Sequence, residues 1–194
     1  MSATTKKPSP WYADFRFFLI LLAIFFAFLL MSIFSRDHGA GPGGGIGAFA
    51  TGKEAPDLDL AGLGGNRLKL SELRGKVVFL NFWATWCAPC RQEVPAIQSL
   101  YKKFLNNPDF VVAAVACDQG GESVVRKYLD REGVVFPIYL DSDMAAAAQY
   151  GVTGFPETYL IGRDGKIREK FIGPRDWDDP RFRGMVNDLL AEKP

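Results

Sequence analysis

Compact apolar runs alternate with amphipathic helical stretches along most of this chain, and this alternation most constrains its fold. Val77–Trp83 and Phe110–Ala116 are short, almost wholly apolar runs, typical of central strands that are covered on both faces. Between them, apolar side chains recur at helical spacing over residues 89–106. A strand, a helix and a strand in succession predict an α/β domain whose helices cover a mostly parallel sheet.

Further elements extend the pattern on both sides of this unit. Apolar segments at 58–60 and 68–70 flank a glycine-rich turn and predict a hairpin before the first long strand. The later elements follow in chain order as a helix at 123–131, a strand at 134–140, a helix at 145–150, a β-hairpin at 158–172 and a helix at 180–191. The predicted order is therefore β-β-β-α-β-α-β-α-β-β-α.

The N-terminal region contains an uncharged, strongly apolar run at residues 17–35. A helix of this length spans roughly 28 Å, close to the thickness of the hydrocarbon core of a bilayer. We therefore predict a transmembrane anchor at 17–35, preceded by a cytoplasmic segment at 1–16. A cleaved signal peptide is the alternative, although its apolar stretch usually has only about 7–15 residues.

Charges around this run indicate its orientation in the membrane. Three basic side chains precede the run, whereas Arg36 alone follows closely. The positive-inside tendency places the N-terminus in the cytoplasm of a bacterium and the rest of the chain in the periplasm. Residues 36–53 are rich in glycine, which is typical of a flexible tether. The folded domain is then predicted to cover residues 54–194.

Composition excludes several kinds of function. The single histidine, His38, lies in the predicted tether, so the folded domain has no histidine for a Ser-His-Asp triad. Three cysteines are too few for a zinc site of about four ligands without histidine. The net charge of +1 shows no basic excess of the kind that nucleic-acid binding needs. We expect neither a metal ion nor a nucleic acid as partner.

Cys87 and Cys90 stand where the first buried strand ends and the long helix begins. The N-terminus of a helix has free N–H groups and a partial positive charge, and both favour a thiolate over a thiol. Cys87 is therefore predicted to be the attacking thiol. Cys90 lies one turn later and can displace it from a mixed disulfide. The redox-active Cys87–Cys90 disulfide is the only cofactor that we expect.

The sequence FWATWCAPC at 82–90 closely resembles the active-site segment of thioredoxins. Phe155-Pro156 resembles the cis-proline loop of that family, which implies that these two residues and Trp86 contact the client protein. The resemblance covers about residues 54–192. It implies a thioredoxin fold with an added N-terminal β-hairpin, preceded by one transmembrane helix.

Within that superfamily, the chain is similar to membrane-tethered extracytoplasmic reductases of the TlpA, ResA and CcmG type. The shared features are the anchor with its tether, the added hairpin and the cis-proline segment at 151–158. The resemblance implies reduction of cysteine-bearing client proteins, with apocytochrome c as a possible client in cytochrome c maturation. It also implies a membrane reductase as electron donor, and we expect a monomer.

Asn81 marks a departure from the thioredoxin pattern, in which a buried aspartate stands six residues before the first cysteine. Because an amide cannot titrate, two glutamates are the candidate proton acceptors. Glu93 lies one turn after Cys90, and Glu157 follows the cis-proline and is expected to face the same site. The alternative for Glu93 is a solvated helix face, and for Glu157 it is a loop surface.

Other functions remain open at this point. An extracytoplasmic disulfide oxidase would use the same two cysteines, and a tethered chaperone would hold clients without using them. A peroxiredoxin is disfavoured, because Ala84 stands where that family has a threonine three residues before its cysteine. Cys117 ends a buried strand and is expected to be structural, since buried cysteine often behaves as a small apolar residue.

Overall fold

The computed structural model of the chain describes residues 18–27 and 51–193, and the chain divides into two units, Met1–Ile46 and Gly47–Pro194. In the first unit, residues 18–27 form a helix with exposed side chains. Within the described residues, no helix combines the length and the apolar character needed to cross a membrane. The predicted anchor extends beyond this helix at both ends. The predicted cytoplasmic segment and most of the predicted tether also lie outside the described residues.

The second unit begins with the predicted hairpin. Strand β1, Asp59–Ala61, pairs antiparallel with strand β2, Arg67–Lys69, and a 3-10 helix, Leu70–Leu73, follows. The backbone N–H of Leu63, in the turn between the strands, donates to the carbonyl of Ile138 at 3.1 Å. The hairpin therefore lies against one edge of the main sheet.

The main sheet has five strands in the order β5-β4-β3-β6-β7. Its centre is β3, Val77–Trp83, which pairs in parallel with β4, Phe110–Ala116, and antiparallel with β6, Glu157–Ile161. The edges are β5, Ile138–Leu140, and β7, Ile167–Ile172. Every residue of β3 is buried, as its apolar sequence predicts. The mixed sheet confirms the predicted α/β architecture.

Four helices accompany the sheet: α1, Ala88–Phe104; α2, Gly121–Glu132; α3, Ala145–Gln149; and α4, Pro180–Ala191. All four were predicted, with bounds that differ by a few residues at most. Pro95 lies inside α1. Helix α1 follows β3 directly, so the end of the central strand and the start of the longest helix meet at one place.

Strand β5 is shorter than its predicted span of 134–140. The difference arises at Pro137, because proline has no backbone N–H to donate to a neighbouring strand. Its carbonyl still accepts a hydrogen bond from Ala114 N at 3.3 Å, and Phe136 is buried. Before Ile138, Phe136 is buried and Val135 is 56% exposed, so the apolar run there does not continue the strand.

Two apolar cores lie on opposite faces of the sheet, because successive side chains of a strand point to opposite sides. Odd-numbered residues of β3 such as Phe79 pack with α1, α2 and α4, whereas even-numbered ones such as Leu80 pack with α3. Both cysteines of the Cys-x-x-Cys motif belong to the first core. The α1 face of the sheet is therefore the face on which the candidate site is built.

Candidate redox-active site

Cys87 is the N-cap residue of α1. Its Sγ accepts a hydrogen bond from the backbone N–H of Cys90 at 3.2 Å, and Pro89 occupies the first turn, where no intrahelical donor is needed. Cys87 and Cys90 form a disulfide, with their Cα atoms 5.3 Å apart. In the reduced protein, the same N–H and the helix dipole would stabilise negative charge on the Cys87 sulfur.

Both cysteines are nearly inaccessible in the disulfide form, with Cys87 4% exposed and Cys90 1% exposed. Trp86 precedes them and is 65% exposed. The order of events, in which Cys87 attacks first and Cys90 follows, stays a prediction from the position of Cys87 at the helix N-terminus.

The predicted client-contact residues lie together. The Phe155–Pro156 peptide bond is cis. The rings of Trp86 and Phe155 meet edge to face, with their centroids 5.8 Å apart. The fold thus brings the ring of Trp86, beside the dithiol, into contact with the ring of Phe155 in the cis-proline loop, 69 residues later in the chain.

Thr85 is held by a carboxylate that the sequence analysis did not identify. Asp118, which follows β4, is buried and accepts hydrogen bonds from Thr85 N at 3.0 Å and from Thr85 Oγ1 at 2.6 Å. Cys117 N also donates to Trp83 O at 2.8 Å. These bonds fix the segment that leads into the dithiol. A signal for Asp118 was available, since polar residues at the carboxyl ends of adjacent parallel strands meet at one sheet edge.

An open groove of about 440 Å³ adjoins Trp86. Its rim includes three exposed apolar side chains, Trp86, Val124 and Met144, and Asp118 lines it as well. Isolated apolar side chains on a surface are ordinary, but these three border one groove next to the dithiol. The site therefore offers an apolar contact surface between Trp86 and the segment that follows β4.

Glu93 lies in the interior and not on a solvated helix face. It is 2% exposed, and it accepts hydrogen bonds at both carboxylate oxygens. Oε1 accepts from Asn81 Nδ2 at 3.0 Å. Oε2 accepts from Trp177 Nε1 at 3.0 Å and from Arg175 N at 3.4 Å. Glu93 is predicted from the sequence, whereas the groups that donate to it are not.

Burial raises the pKa of the Glu93 carboxyl, because removal from water disfavours the charged form. The hydrogen bonds from Trp177, Asn81 and Arg175 act in the opposite direction but do not cancel the effect of burial. Glu93 stands three residues after Cys90 on α1, where side chains are neighbours on the helix surface. A carboxyl with a raised pKa beside a thiol is suited to exchange a proton with it.

Asn81 connects three elements at this point. Its side-chain Nδ2 donates to Glu93 Oε1 on α1 and to Thr158 Oγ1 on β6, the latter at 2.9 Å. Both bonds are buried. The residue that replaces the aspartate of the thioredoxin pattern is therefore a donor to the carboxylate on the helix.

Glu157 occupies the opposite face of the sheet, which differs from the expectation that it faces the same site as Glu93. The reason is strand alternation: Thr158 points toward Asn81, so its neighbour Glu157 points away. Glu157 is fully buried, with Lys170 Nζ 2.8 Å from Oε1 and the Tyr159 hydroxyl donating to the same oxygen. It is also not a loop surface residue. Its role in proton transfer stays a prediction.

Lys170 and Tyr159 were missed as partners of Glu157. Burial and the nearby carboxylate raise the pKa of the Tyr159 hydroxyl, which keeps it a hydrogen-bond donor. Among the described residues, Glu157 Oε2 has no hydrogen-bond partner. No sequence signal identifies Lys170, because residues across an antiparallel pair are related only once the register is known.

Cys117 is buried at the end of β4, as expected for a structural cysteine. Burial raises the pKa of its thiol, and the Asp141 carboxylate, 3.8 Å from Sγ, acts in the same direction. The same carboxylate accepts from the N–H groups of Ala146 and Ala147 at the start of α3. A thiol held neutral in this way is a poor nucleophile.

The described part of the chain contains no group of three or more His, Cys, Asp or Glu side chains placed to hold a metal ion. The chemistry that the described site supports is that of the dithiol itself. A helix N-terminus at Cys87, a buried resolving Cys90 and a carboxyl one turn further define a dithiol–disulfide exchange site of the thioredoxin class.

Comparison with known proteins agrees with this class. Residues 51–170 match the AhpC/TSA family, and the chain belongs to that family. It is 39% identical over 127 residues to the thiol-disulfide oxidoreductase ResA of Bacillus subtilis. The aligned region covers 65% of this chain and 69% of that protein. It is 38% identical over 133 residues to ResA of Geobacillus thermodenitrificans, and here the aligned region covers 68% of this chain and 75% of the relative.

A solved structure shows the same architecture. The thioredoxin domain of a thiol-disulfide oxidoreductase from Bacteroides vulgatus superposes with a TM-score of 0.64 at 28% identity, covering 72% of this chain and all of that one. The thioredoxin fold expected from the sequence is confirmed. Together with the relatives and the dithiol geometry, it identifies the protein as a thiol-disulfide oxidoreductase.

Proposed function

We propose that the protein is a membrane-anchored, extracytoplasmic reductase of protein disulfides. The observation that carries this proposal is the placement of the dithiol at the start of α1 with the buried Glu93 carboxyl one turn after Cys90. This arrangement supplies both a stabilised nucleophile and a proton acceptor for the second thiol. The dipeptide between the cysteines, Ala88-Pro89, adds no charge that would favour a strongly oxidising pair.

The reaction consists of two exchanges. The Cys87 thiolate attacks one sulfur of the client disulfide; a Cys87–client S–S bond forms, and the other client sulfur leaves as a thiolate. Cys90 then gives its proton to Glu93, and its sulfur attacks Cys87. The Cys87–client bond breaks, and the client sulfur takes the electron pair. The client disulfide is reduced by two electrons, and the Cys87–Cys90 disulfide forms.

Client binding is proposed to use the aromatic and apolar surface around the dithiol. Trp86, Phe155 and Pro156 form one side, and the groove rimmed by Val124 and Met144 extends the other. This surface suits an extended segment that carries apolar side chains next to its cysteine. Apocytochrome c is the client that we propose, on the resemblance of the cis-proline segment to cytochrome c maturation thioredoxins.

The cellular arrangement is proposed from the N-terminal sequence. Residues 17–35 would cross the bacterial inner membrane, and 36–53 would tether the domain on the periplasmic side. A reductase outside the cytoplasm needs a supply of electrons after each turnover. We therefore propose a transmembrane reductase as the partner that returns the Cys87–Cys90 disulfide to the dithiol.

Measurement of the reduction potential tests the direction of the reaction. The full chain in detergent is equilibrated with defined dithiol buffers, and the oxidised fraction of the Cys87–Cys90 pair is determined by thiol alkylation. We expect a potential near the −270 mV of thioredoxin or somewhat higher, well below the roughly −120 mV of a strong oxidase. A potential near −120 mV would make the protein a disulfide donor and overturn the proposal.

A further inference from the structure

The segment between β7 and α4 crosses beside Glu93. We call residues 173–177 the strap. Two N–H groups of the strap, the indole Nε1 of Trp177 and the backbone N of Arg175, donate to the same oxygen of Glu93 at 3.0 and 3.4 Å. The donor and the carboxylate in the stronger of these contacts are separated by 84 positions in the sequence. The surroundings of this carboxylate are therefore set by a remote part of the chain.

The indole of Trp177 is fixed by aromatic packing. Its ring centroid lies 4.8 Å from that of Phe79 on β3, 5.2 Å from that of Phe171 on β7 and 4.7 Å from that of Phe182 on α4. Trp177 is almost completely buried. Because rings from three elements hold the indole, its N–H has one direction, and that direction is toward Glu93 Oε2.

The groups that face Glu93 come from several elements. Asn81 on β3 is neutral, and so is Thr158 on β6, which accepts a hydrogen bond from Asn81. An open depression of about 280 Å³ beside the carboxylate is lined by strap and helix residues, namely Gln92, Ala96, Pro174, Arg175 and Asp176. The charged members are Arg175 and Asp176, and Cys90 precedes Glu93 on α1. Among the described groups around Glu93, Trp177 is the buried hydrogen-bond donor whose ring is packed against three other aromatic rings.

We propose that Trp177 is a positioning residue for the redox reaction, since its indole N–H holds Glu93 as an ionised proton acceptor one turn from Cys90. The inference rests on the proposed function, in which Glu93 takes the proton of Cys90. A donor to a carboxylate favours its ionised form, whereas burial disfavours it. Without the indole N–H, the pKa of Glu93 would rise further, and a smaller fraction of the carboxyl would be ionised and able to accept the proton.

The test uses the full chain in detergent with ¹³C-labelled glutamate. The carboxyl signal of Glu93 is assigned by its loss in Glu93→Gln and is followed against pH in the wild type and in Trp177→Phe. Phe keeps an aromatic ring and removes the N–H. A hydrogen bond to a charged group is worth enough to move a midpoint by about one pH unit. We expect the Glu93 midpoint to rise by about this amount in Trp177→Phe.

Two variants separate the hydrogen bond from packing. Phe182→Leu loosens the packing around the indole but leaves its N–H in place, so the Glu93 midpoint should stay near that of the wild type. Trp83→Phe removes another buried indole N–H, one without a hydrogen-bond partner among the described residues. It should likewise leave the midpoint in place. A midpoint that moves equally in all three variants would show a role in packing only and overturn the proposal.

If Trp177→Phe does not fold, a measurement on the wild-type protein tests the same hydrogen bond. The ¹H–¹⁵N signal of the Trp177 indole is followed against pH. It should shift with the midpoint of Glu93, and the shift should vanish in Glu93→Gln. An indole signal that does not respond to pH around the Glu93 midpoint would overturn the proposal without any change at Trp177.

Failure of this inference can be told apart from failure of the proposed function. The pH profile of client-disulfide reduction is compared in Glu93→Gln, Trp177→Phe and the double variant. If Glu93→Gln leaves the profile unchanged, the proton transfer of the proposed function fails. If Glu93→Gln changes the profile but Trp177→Phe does not move the Glu93 midpoint, the positioning role alone fails. Both hold if Glu93→Gln changes the profile, Trp177→Phe raises the Glu93 midpoint and shifts the profile of the otherwise wild-type protein, and Trp177→Phe has no further effect in the Glu93→Gln background.

Discussion

The candidate proton acceptor beside the dithiol is Glu93. Asn81 replaces the titratable residue of the thioredoxin pattern, and the carboxyl group lies on α1 instead, at Glu93. Asn81 contributes an amide donor to that carboxyl. The candidate proton acceptor and Cys90 thus belong to the same helix, and their spacing along it is fixed by helix geometry.

The reaction rate should depend on the protonation of Glu93. Burial raises the pKa of Glu93, so below that pKa the carboxyl is protonated and cannot accept the proton of Cys90. We expect the rate of client-disulfide reduction to rise as the pH passes upward through the raised pKa. Glu93→Gln should lower the rate at neutral pH about 100-fold and remove this rise. Stopped-flow measurement with a disulfide-bonded peptide checks both effects.

Glu122→Gln is the matched control for this experiment, because Glu122 is an exposed carboxylate on α2 that pairs with Arg126. Its pH profile should follow that of the wild type. A profile of Glu93→Gln that keeps the wild-type rise would contradict the assignment of Glu93 as the proton acceptor.

The Asp118 carboxylate should contribute measurably to stability. It is buried and accepts from both Thr85 N and Thr85 Oγ1. Asp118→Asn replaces one acceptor oxygen with an NH₂ group and leaves a buried donor without a partner. We expect the free energy of unfolding to fall by about 1–3 kcal/mol, measured by urea denaturation. The exposed Asp130→Asn on α2 should change it by less than about 0.5 kcal/mol. Equal effects would contradict the role of Asp118.

Pairing of β6 with β7 places two opposite charges in the interior. Glu157 on β6 is fully buried, and the Lys170 side chain on β7 is 11% exposed. Strand register brings them together, since Lys170 stands opposite Tyr159, two residues after Glu157. A buried pair of this kind stabilises little by itself, but loss of one partner leaves an uncompensated charge.

Lys170→Met should therefore destabilise the domain strongly. We expect a loss of about 3–5 kcal/mol in the free energy of unfolding, because the Glu157 carboxylate would remain buried without its cation. The double variant Lys170→Met/Glu157→Gln should recover a large part of that loss. Urea denaturation of the single and double variants gives the coupling. Additive effects would show that the two side chains do not act as a pair.

Elements built from local patterns were predicted well. The burial of β3, the start of α1 at the dithiol and the order of strands and helices follow from periodicity and from residues near one another in the chain. The prediction was wrong in the length of β5, which begins only after Pro137. An apolar run alone does not show where strand hydrogen bonding begins.

Membrane attachment is the property of the whole molecule that the N-terminal run predicts. We expect the full chain expressed in a bacterium to stay in the membrane fraction after an alkaline carbonate wash. The double variant Phe25→Arg/Phe26→Arg should be released, because each charge at the centre of a span costs about 2.5–3.5 kcal/mol. Leu105→Arg, at an exposed position of the domain, should remain attached. A mature N-terminus beyond residue 35 would show a cleaved signal peptide instead.

The sequence alone was sufficient to predict the class of fold, the Cys87–Cys90 dithiol and Glu93 as a candidate. Strand periodicity, helix spacing and a motif at a strand–helix junction are local properties, and local patterns can be recognised in a single sequence.

Only the tertiary structure decided what surrounds those residues. It placed Trp177 and Arg175 on Glu93 and joined Asp118 to Thr85. It also turned Glu157 away from Glu93 toward Lys170. The physical reason is that hydrogen bonds and ion pairs between distant residues depend on which strands pair and on how the core packs, and local patterns in the sequence do not specify which distant side chains meet.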